Sequence, residues 1–163
     1  MERTATNNLW VVALSVIAAL LLSSMSWPGF FMWWAPEWML MVILYWVLAL
    51  PDRLGVVFAF LMGLLMDVLI GYPLGIQGAL FAIIAYIGLS WHKRIRNYQP
   101  LQQAGLVFLI LLLYLVLKQI LWSFWGRPVF DHPWFLLPAF TSALLWPLVY
   151  FTLRSLRIRY RVR

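Results

Sequence analysis

The chain reads as an all-α integral membrane protein of six transmembrane helices with both termini in the cytoplasm. Three observations predict this: a composition that is 65% hydrophobic and 10% charged, six apolar runs parted by helix-breaking residues, and a lopsided placement of lysine and arginine. Soluble globular domains carry about 25% charged residues, so this composition leaves nothing for a separate soluble domain. One six-span membrane domain is expected over residues 1–163.

A helix that crosses the hydrocarbon core needs about 20 apolar residues, and the runs lie close to that length. The first covers 9–25. Glu2 and Arg3 precede it as in a secretion signal, but it is longer than a signal core and lacks a small-residue cleavage site before hydrophilic sequence. It is expected to be retained as a span. Pro28 and Gly29 end it, and the second run, 35–50, stops at Pro51. The third, 54–70, is divided from the fourth, 74–91, only by the tight connection around Gly71 and Pro73. Pro100 precedes the fifth, 103–125. Gly126, Pro128 and Pro133 lead into the sixth, 134–153, and residues 154–163 form a basic tail.

Orientation follows from the cations. With the N-terminus inside, the cytoplasmic segments hold Arg3, Arg53, Lys93, Arg94, Arg96, Arg154, Arg157, Arg159, Arg161 and Arg163, while the outside loops hold only Arg127. Lys118 falls within a span. Such a bias is what the positive-inside rule requires, and it accounts for the net charge of +7 without nucleic acid. Aromatic residues fit the same register: Trp27, Trp33, Trp34, Trp38, Trp122, Trp125 and Trp134 as an outer belt, and Trp10, Tyr45, Trp46, Trp91 and Tyr98 as an inner one.

The stretch GLLMDVLIGYPLG, residues 63–75, places an acid inside an apolar run. Gly63, Asp67, Gly71 and Gly75 recur every four residues, so the first three lie on one helical stripe where glycine permits close approach of another helix. Asp67 is about 12 residues, or roughly 18 Å, from the cytoplasmic boundary, and Lys118 in the parallel fifth span has a matching depth. Three states are open to the carboxylate: an ion pair with Lys118, a protonated and neutral form, or a cap on the free backbone N–H groups that begin the fourth helix. The cap is favoured over a proton or ion path, because a relay needs a second titratable group in series.

Catalytic constellations are thin. The chain has no cysteine, and His92 and His132 are expected on opposite sides of the membrane, so they share no metal and form no acid–base pair. Ser23, Ser24 and Ser26 have no histidine at their depth, which points to helix packing. No enzyme, metal or cofactor is expected. The arginines of the tail read as a contact for anionic lipid or a cytoplasmic protein.

Three segments, PEWMLMVILYWVLALPDR at 36–53, GLLMDVLIGYPLG at 63–75 and ALLWPL at 143–148, together resemble the rod shape-determining MreD family of bacteria. The resemblance rests on Tyr45 and Trp46 followed by Pro51, on the glycine–aspartate series, and on Trp146 with Pro147. It implies a non-enzymatic component of the cell-elongation machinery in the inner membrane, paired with MreC and working with MreB, RodA and the elongation transpeptidase in peptidoglycan synthesis. It also implies a fold similar to the substrate-binding subunits of vitamin transporters. Lys118 is outside these motifs, which favours the cap over the ion pair. The residues themselves leave a second reading, a substrate-binding membrane subunit of a small-molecule transporter, with sparse polar lining at Asp67, Gln77, Lys118, Gln119 and Thr141. Gly55, Ala59 and Gly63 are the small-residue face expected to meet a partner's span.

Overall fold

The computed structural model describes residues 8–25, 28–126 and 133–160. Among these residues the secondary structure is entirely helical: α1 (Leu9–Ser24), α2 (Trp38–Ala49), α3 (Val56–Ile70), α4 (Ile76–Arg96), α5 (Pro100–Ser123) and α6 (Leu137–Arg159). Short 3-10 turns, Gly29–Trp34 and Pro133–Leu136, lead into α2 and α6. Arg3, Ser26, Trp27, Arg127, His132, Arg161 and Arg163 lie outside the described residues.

Successive helices run antiparallel, so the bundle has two chemically distinct ends. One collects the C-terminal ends of α1, α3 and α5 with the starts of α2, α4 and α6, and holds Asp67, Glu37 and Lys118. The other holds Arg154 and Arg157, and here both described chain ends meet: the Asn8 side-chain amide donates to the Tyr160 carbonyl. We call them the acid end and the arginine end.

The helices depart from the expected bounds in informative ways. α2 starts at Trp38, not 35, because the 3-10 turn and Pro36 occupy the approach. α4 continues past Trp91 to Arg96, and α6 runs through Arg154, Arg157 and Arg159, so the first half of the supposed tail is helix. Cations at a helix C-terminus favour this extension, since they complement the negative end of the dipole. By length and composition, Leu101–Ser123 and Trp134–Arg159 are able to cross a membrane.

α2 is the centre of the bundle. Every residue from Met39 to Ala49 is buried, which explains why this helix is apolar on all sides. At 12 residues it is about 18 Å long, short of the roughly 30 Å hydrocarbon core. Its neighbours α1, α4 and α6 enclose it, so its ends do not face lipid. Tyr45 and Trp46 are consequently corrected from belt residues to buried ones: Trp46 is 0% exposed, and its indole N–H donates to Ser15 Oγ at 2.8 Å. Trp122 on α5 is buried separately, edge-on against Tyr72. The other helices present large apolar side chains outward, among them Leu14, Val57, Val68, Leu109, Leu144 and Phe151. Such a surface would aggregate in water and suits lipid.

The central position of Trp46 sets an expectation for stability. Trp46→Ala removes a fully enclosed indole and its hydrogen bond to Ser15 Oγ, which is expected to cost about 3–5 kcal/mol. Leu144→Ala on the outer surface is expected to change stability by less than about 0.5 kcal/mol. Thermal unfolding of the detergent-solubilised protein compares the two, and equal effects would contradict a packed central helix.

Candidate functional site

The acid end is built on Asp67. Its own carbonyl accepts from the Tyr72 N–H at 2.9 Å and closes the last turn of α3, with Gly71 in the left-handed region at φ 76°. Its carboxylate turns to α4. Oδ2 accepts from the Gly75 N–H at 2.9 Å, Oδ1 from the Gln77 N–H at 3.0 Å, and the Gly78 N–H lies 3.4 Å from Oδ2. The Ile76 N–H goes to the Pro73 carbonyl at 3.4 Å. All the backbone donors that begin α4 are thereby occupied, and a negative charge sits at the positive end of that helix. Gly75 turns the chain into α4 at φ 100°, a conformation that suits glycine.

Gly63 brings the two helices close enough for this contact. A Cβ there would lie 2.4 Å from the Gln77 carbonyl oxygen and 2.6 Å from the Gly78 Cα. The stripe of Ala59, Gly63 and Asp67 is thus filled by α4 of the same chain, and all three residues are buried. This corrects the expectation that Gly55, Ala59 and Gly63 meet a partner's span. The face is already taken.

Lys118 does not reach Asp67. Its ammonium donates to Glu37 Oε1 at 3.1 Å, a pair whose side chains are 23% and 19% exposed. The expected Asp67–Lys118 ion pair is therefore replaced by Glu37–Lys118, for a physical reason: the Asp67 oxygens are already held by α4 amides, while Glu37 stands at the start of α2 with its oxygens uncommitted to backbone. The Glu37 N–H in turn donates to Ser142 Oγ on α6 at 2.9 Å. Tyr114 joins the two acids into one network, its hydroxyl donating to Gln77 Oε1 at 2.9 Å and lying 3.5 Å from Glu37 Oε2. Polar groups from α2, α3, α4, α5 and α6 are linked in this way. A cavity of about 620 Å3 opens beside them, with Ser23, Ser24, Tyr72 and Gln119 also on its wall.

Glu37 is the member of this network that sequence reasoning missed. The signal was present: it is an acid inside the 35–50 run, at the same outer end as Lys118. Tyr114 carried no such signal, being one apolar-looking residue in a long hydrophobic helix.

The remaining expected residues fall toward the arginine end. Trp146 is 1% exposed, and its indole N–H points to Gln103 Oε1 at 3.4 Å. Gln103 donates to the Ile95 and Tyr98 carbonyls, both at 3.1 Å, and so secures the α4–α5 turn. Pro147 lies inside α6, where it leaves the Ala143 carbonyl without its helical donor. Pro51 is in the α2–α3 turn. Tyr45 packs edge-on against Tyr150, with ring centroids 5.8 Å apart, beside Arg154 and Arg157. Arg159 is exposed on the last turn of α6. The structure thus brings Gly63, Asp67, Gly71 and Gly75 together at one end, and Tyr45, Trp146, Arg154 and Arg157 together at the other.

A family profile described as rod shape-determining protein MreD matches residues 4–156. The chain is also 33% identical, over 159 residues and 94% of each chain, to the rod shape-determining protein MreD of Haemophilus influenzae. No solved structure matches it.

Two measurements probe the acid end. Asp67→Asn keeps the shape but exchanges an accepting oxygen for an amide that cannot accept, with an expected loss of about 1.5–3 kcal/mol; an unchanged unfolding temperature would remove the cap as a support. Glu37→Gln and Lys118→Met are each expected to destabilise, and the double variant to recover part of the loss, giving a coupling of roughly 0.5–3 kcal/mol. A coupling near zero would contradict the ion pair.

Proposed function

This chain belongs to the MreD family of rod shape-determining proteins, and from that premise we propose that it is a non-enzymatic, six-span scaffold of the bacterial inner membrane that holds MreC in the cell-elongation complex. Through MreC it helps control peptidoglycan synthesis and rod shape, in company with MreB, RodA and the elongation transpeptidase. The carrying observation is the extent of the match, 94% of this chain and 94% of its relative. The positive-inside pattern supports cytoplasmic termini. The two long apolar helices and the outward apolar side chains support multi-pass insertion.

With the α3 stripe filled, the contact for a partner's single span falls on the groove between α5 and α6. Its wall includes the small residues Ala104, Gly105 and Ala143, between Phe108 and Leu144, around a space of about 320 Å3. Small residues let a second helix approach closely, and association within lipid depends on such packing. A Cβ at Gly105 would meet no atom within 4 Å, so the backbone there has room for a side chain directed into the groove.

A second reading, the substrate-binding membrane subunit of a transporter, draws on one observation. The cavity at the acid end is bordered by Glu37, Lys118, Gln77 and Gln119, a set able to hold a small polar molecule.

Tagged protein is expected to copurify with MreC from detergent, and Gly105→Leu with Ala143→Leu to lose that partner while keeping the native unfolding temperature. Retention of MreC by the double variant would exclude the groove. Loss of the gene is expected to give round cells; a nutrient auxotrophy with normal shape would instead favour the transporter reading.

A further inference from the structure

The arginine end contains a second built cavity, of about 460 Å3, where the C-terminal part of α2, the α4–α5 turn and α6 meet. Its lining is amphipathic. Leu48, Ile95 and Trp146 form an apolar floor, while Tyr45, Tyr98, Tyr150, Arg154 and Arg157 supply polar groups. Arg154 and Arg157 are three positions apart on α6 and so project from one face of the helix. The Arg154 guanidinium lies 5.8 Å from the Tyr150 ring centroid, within the range of a cation–π contact that restrains its position.

The charge of this cavity is uncompensated among the described residues. None of its lining residues is an acid. Glu37 and Asp67 are committed at the opposite end of the bundle, and Asp52, exposed in the α2–α3 turn, is not on the cavity wall. Two guanidiniums side by side without a carboxylate repel one another, and an anion between them removes that cost. Guanidinium groups present planar pairs of donors suited to phosphate oxygens, and tyrosine hydroxyls add further donors at the rim.

We propose that this cavity is a binding site for a phosphate-bearing anionic group, held by Arg154 and Arg157 with the hydroxyls of Tyr45, Tyr98 and Tyr150. The group comes either from an anionic phospholipid headgroup or from a free phosphate. The apolar floor gives a lipid's glycerol backbone and first acyl carbons a surface that a free anion does not use. The site shares no lining residue with the α5–α6 groove, although Gln103 and Trp146 of the one adjoin Ala104 and Pro147 of the other.

The test uses the full chain in neutral detergent, with thermal unfolding followed as ligand is added at constant ionic strength. Dihexanoyl-phosphatidylglycerol, dihexanoyl-phosphatidylcholine and inorganic phosphate are titrated separately. Phosphatidylglycerol is expected to raise the unfolding temperature with saturation, and phosphatidylcholine to act far more weakly. A matching effect of inorganic phosphate would assign the site to a free anion; no effect of phosphate would assign it to lipid. Arg154→Gln with Arg157→Gln is expected to lower the apparent affinity by roughly tenfold or more. Arg159→Gln, exposed and off the cavity wall, is expected to bind as the parent does. If the double variant does not fold, Arg154→Gln alone, at an exposed side chain, is read for the same loss. The proposal is overturned if neither anion shifts unfolding, if the two lipids act equally, or if the cavity variants bind like the parent.

Discussion

The acid end depends on one carboxylate satisfying the start of one helix from the end of another. Asp67 closes α3 with its carbonyl and caps α4 with its side chain, so the angle and register between the two helices are set within a dozen residues of chain. In lipid the first-turn amides of α4 have no water to turn to, and leaving them unmet costs several kcal/mol per group. The contact is possible only because Gly63 lets the α4 backbone approach α3 to a distance at which any Cβ would collide. Gln77 is then placed twice over, its backbone bound to Asp67 and its side chain presented to Tyr114. From Tyr114 the order extends to Glu37 and Lys118, and from Glu37 to Ser142 on the last helix.

α2 shows why this order matters. A helix of 12 residues is too short to span the hydrocarbon core by itself, and its first turn would be stranded among apolar chains if the surrounding helices did not furnish partners. The Glu37–Ser142 contact binds its entry to α6, and the Glu37–Lys118 pair binds it to α5. Toward its C-terminal end, Ser15 accepts the Trp46 indole and ties α2 to α1. The short helix is held because Glu37 at its entry and Trp46 in its last turns are answered by longer neighbours, although the Trp38 indole nitrogen is buried without a hydrogen-bond partner among the described residues.

Legibility in the sequence tracked the range of each interaction. The number of helices, their order and the breakers between them are local properties of hydropathy, proline and glycine, and they were readable. The Asp67 cap was readable for the same reason: its donors at Gly75 and Gln77 lie within ten residues. The partner of Lys118 was not, because Glu37 is 81 residues away in the chain, and matched depth alone could not distinguish two acids at the same end. The glycine stripe was recognised as a packing face, but spacing does not say which helix fills it. Tyr45 and Trp46 were misplaced because hydropathy cannot separate an apolar helix that faces lipid from one that is wrapped by protein. The family reading came from the motifs as a set, since each of them alone is weak.

The two ends of the bundle also differ in what they leave for other molecules. At the acid end, among the described residues, both carboxylates and the half-buried Lys118 ammonium are answered inside the chain. A molecule entering that cavity must compete with an existing ion pair, and an apolar helix packing there would gain little. At the arginine end, two guanidiniums share a cavity wall with no acid among its residues, so the field there is directed outward. A neutral groove of small residues between α5 and α6 offers packing without charge. Protein contact by helix packing and anion contact by charge are thus drawn to different surfaces of the same small bundle.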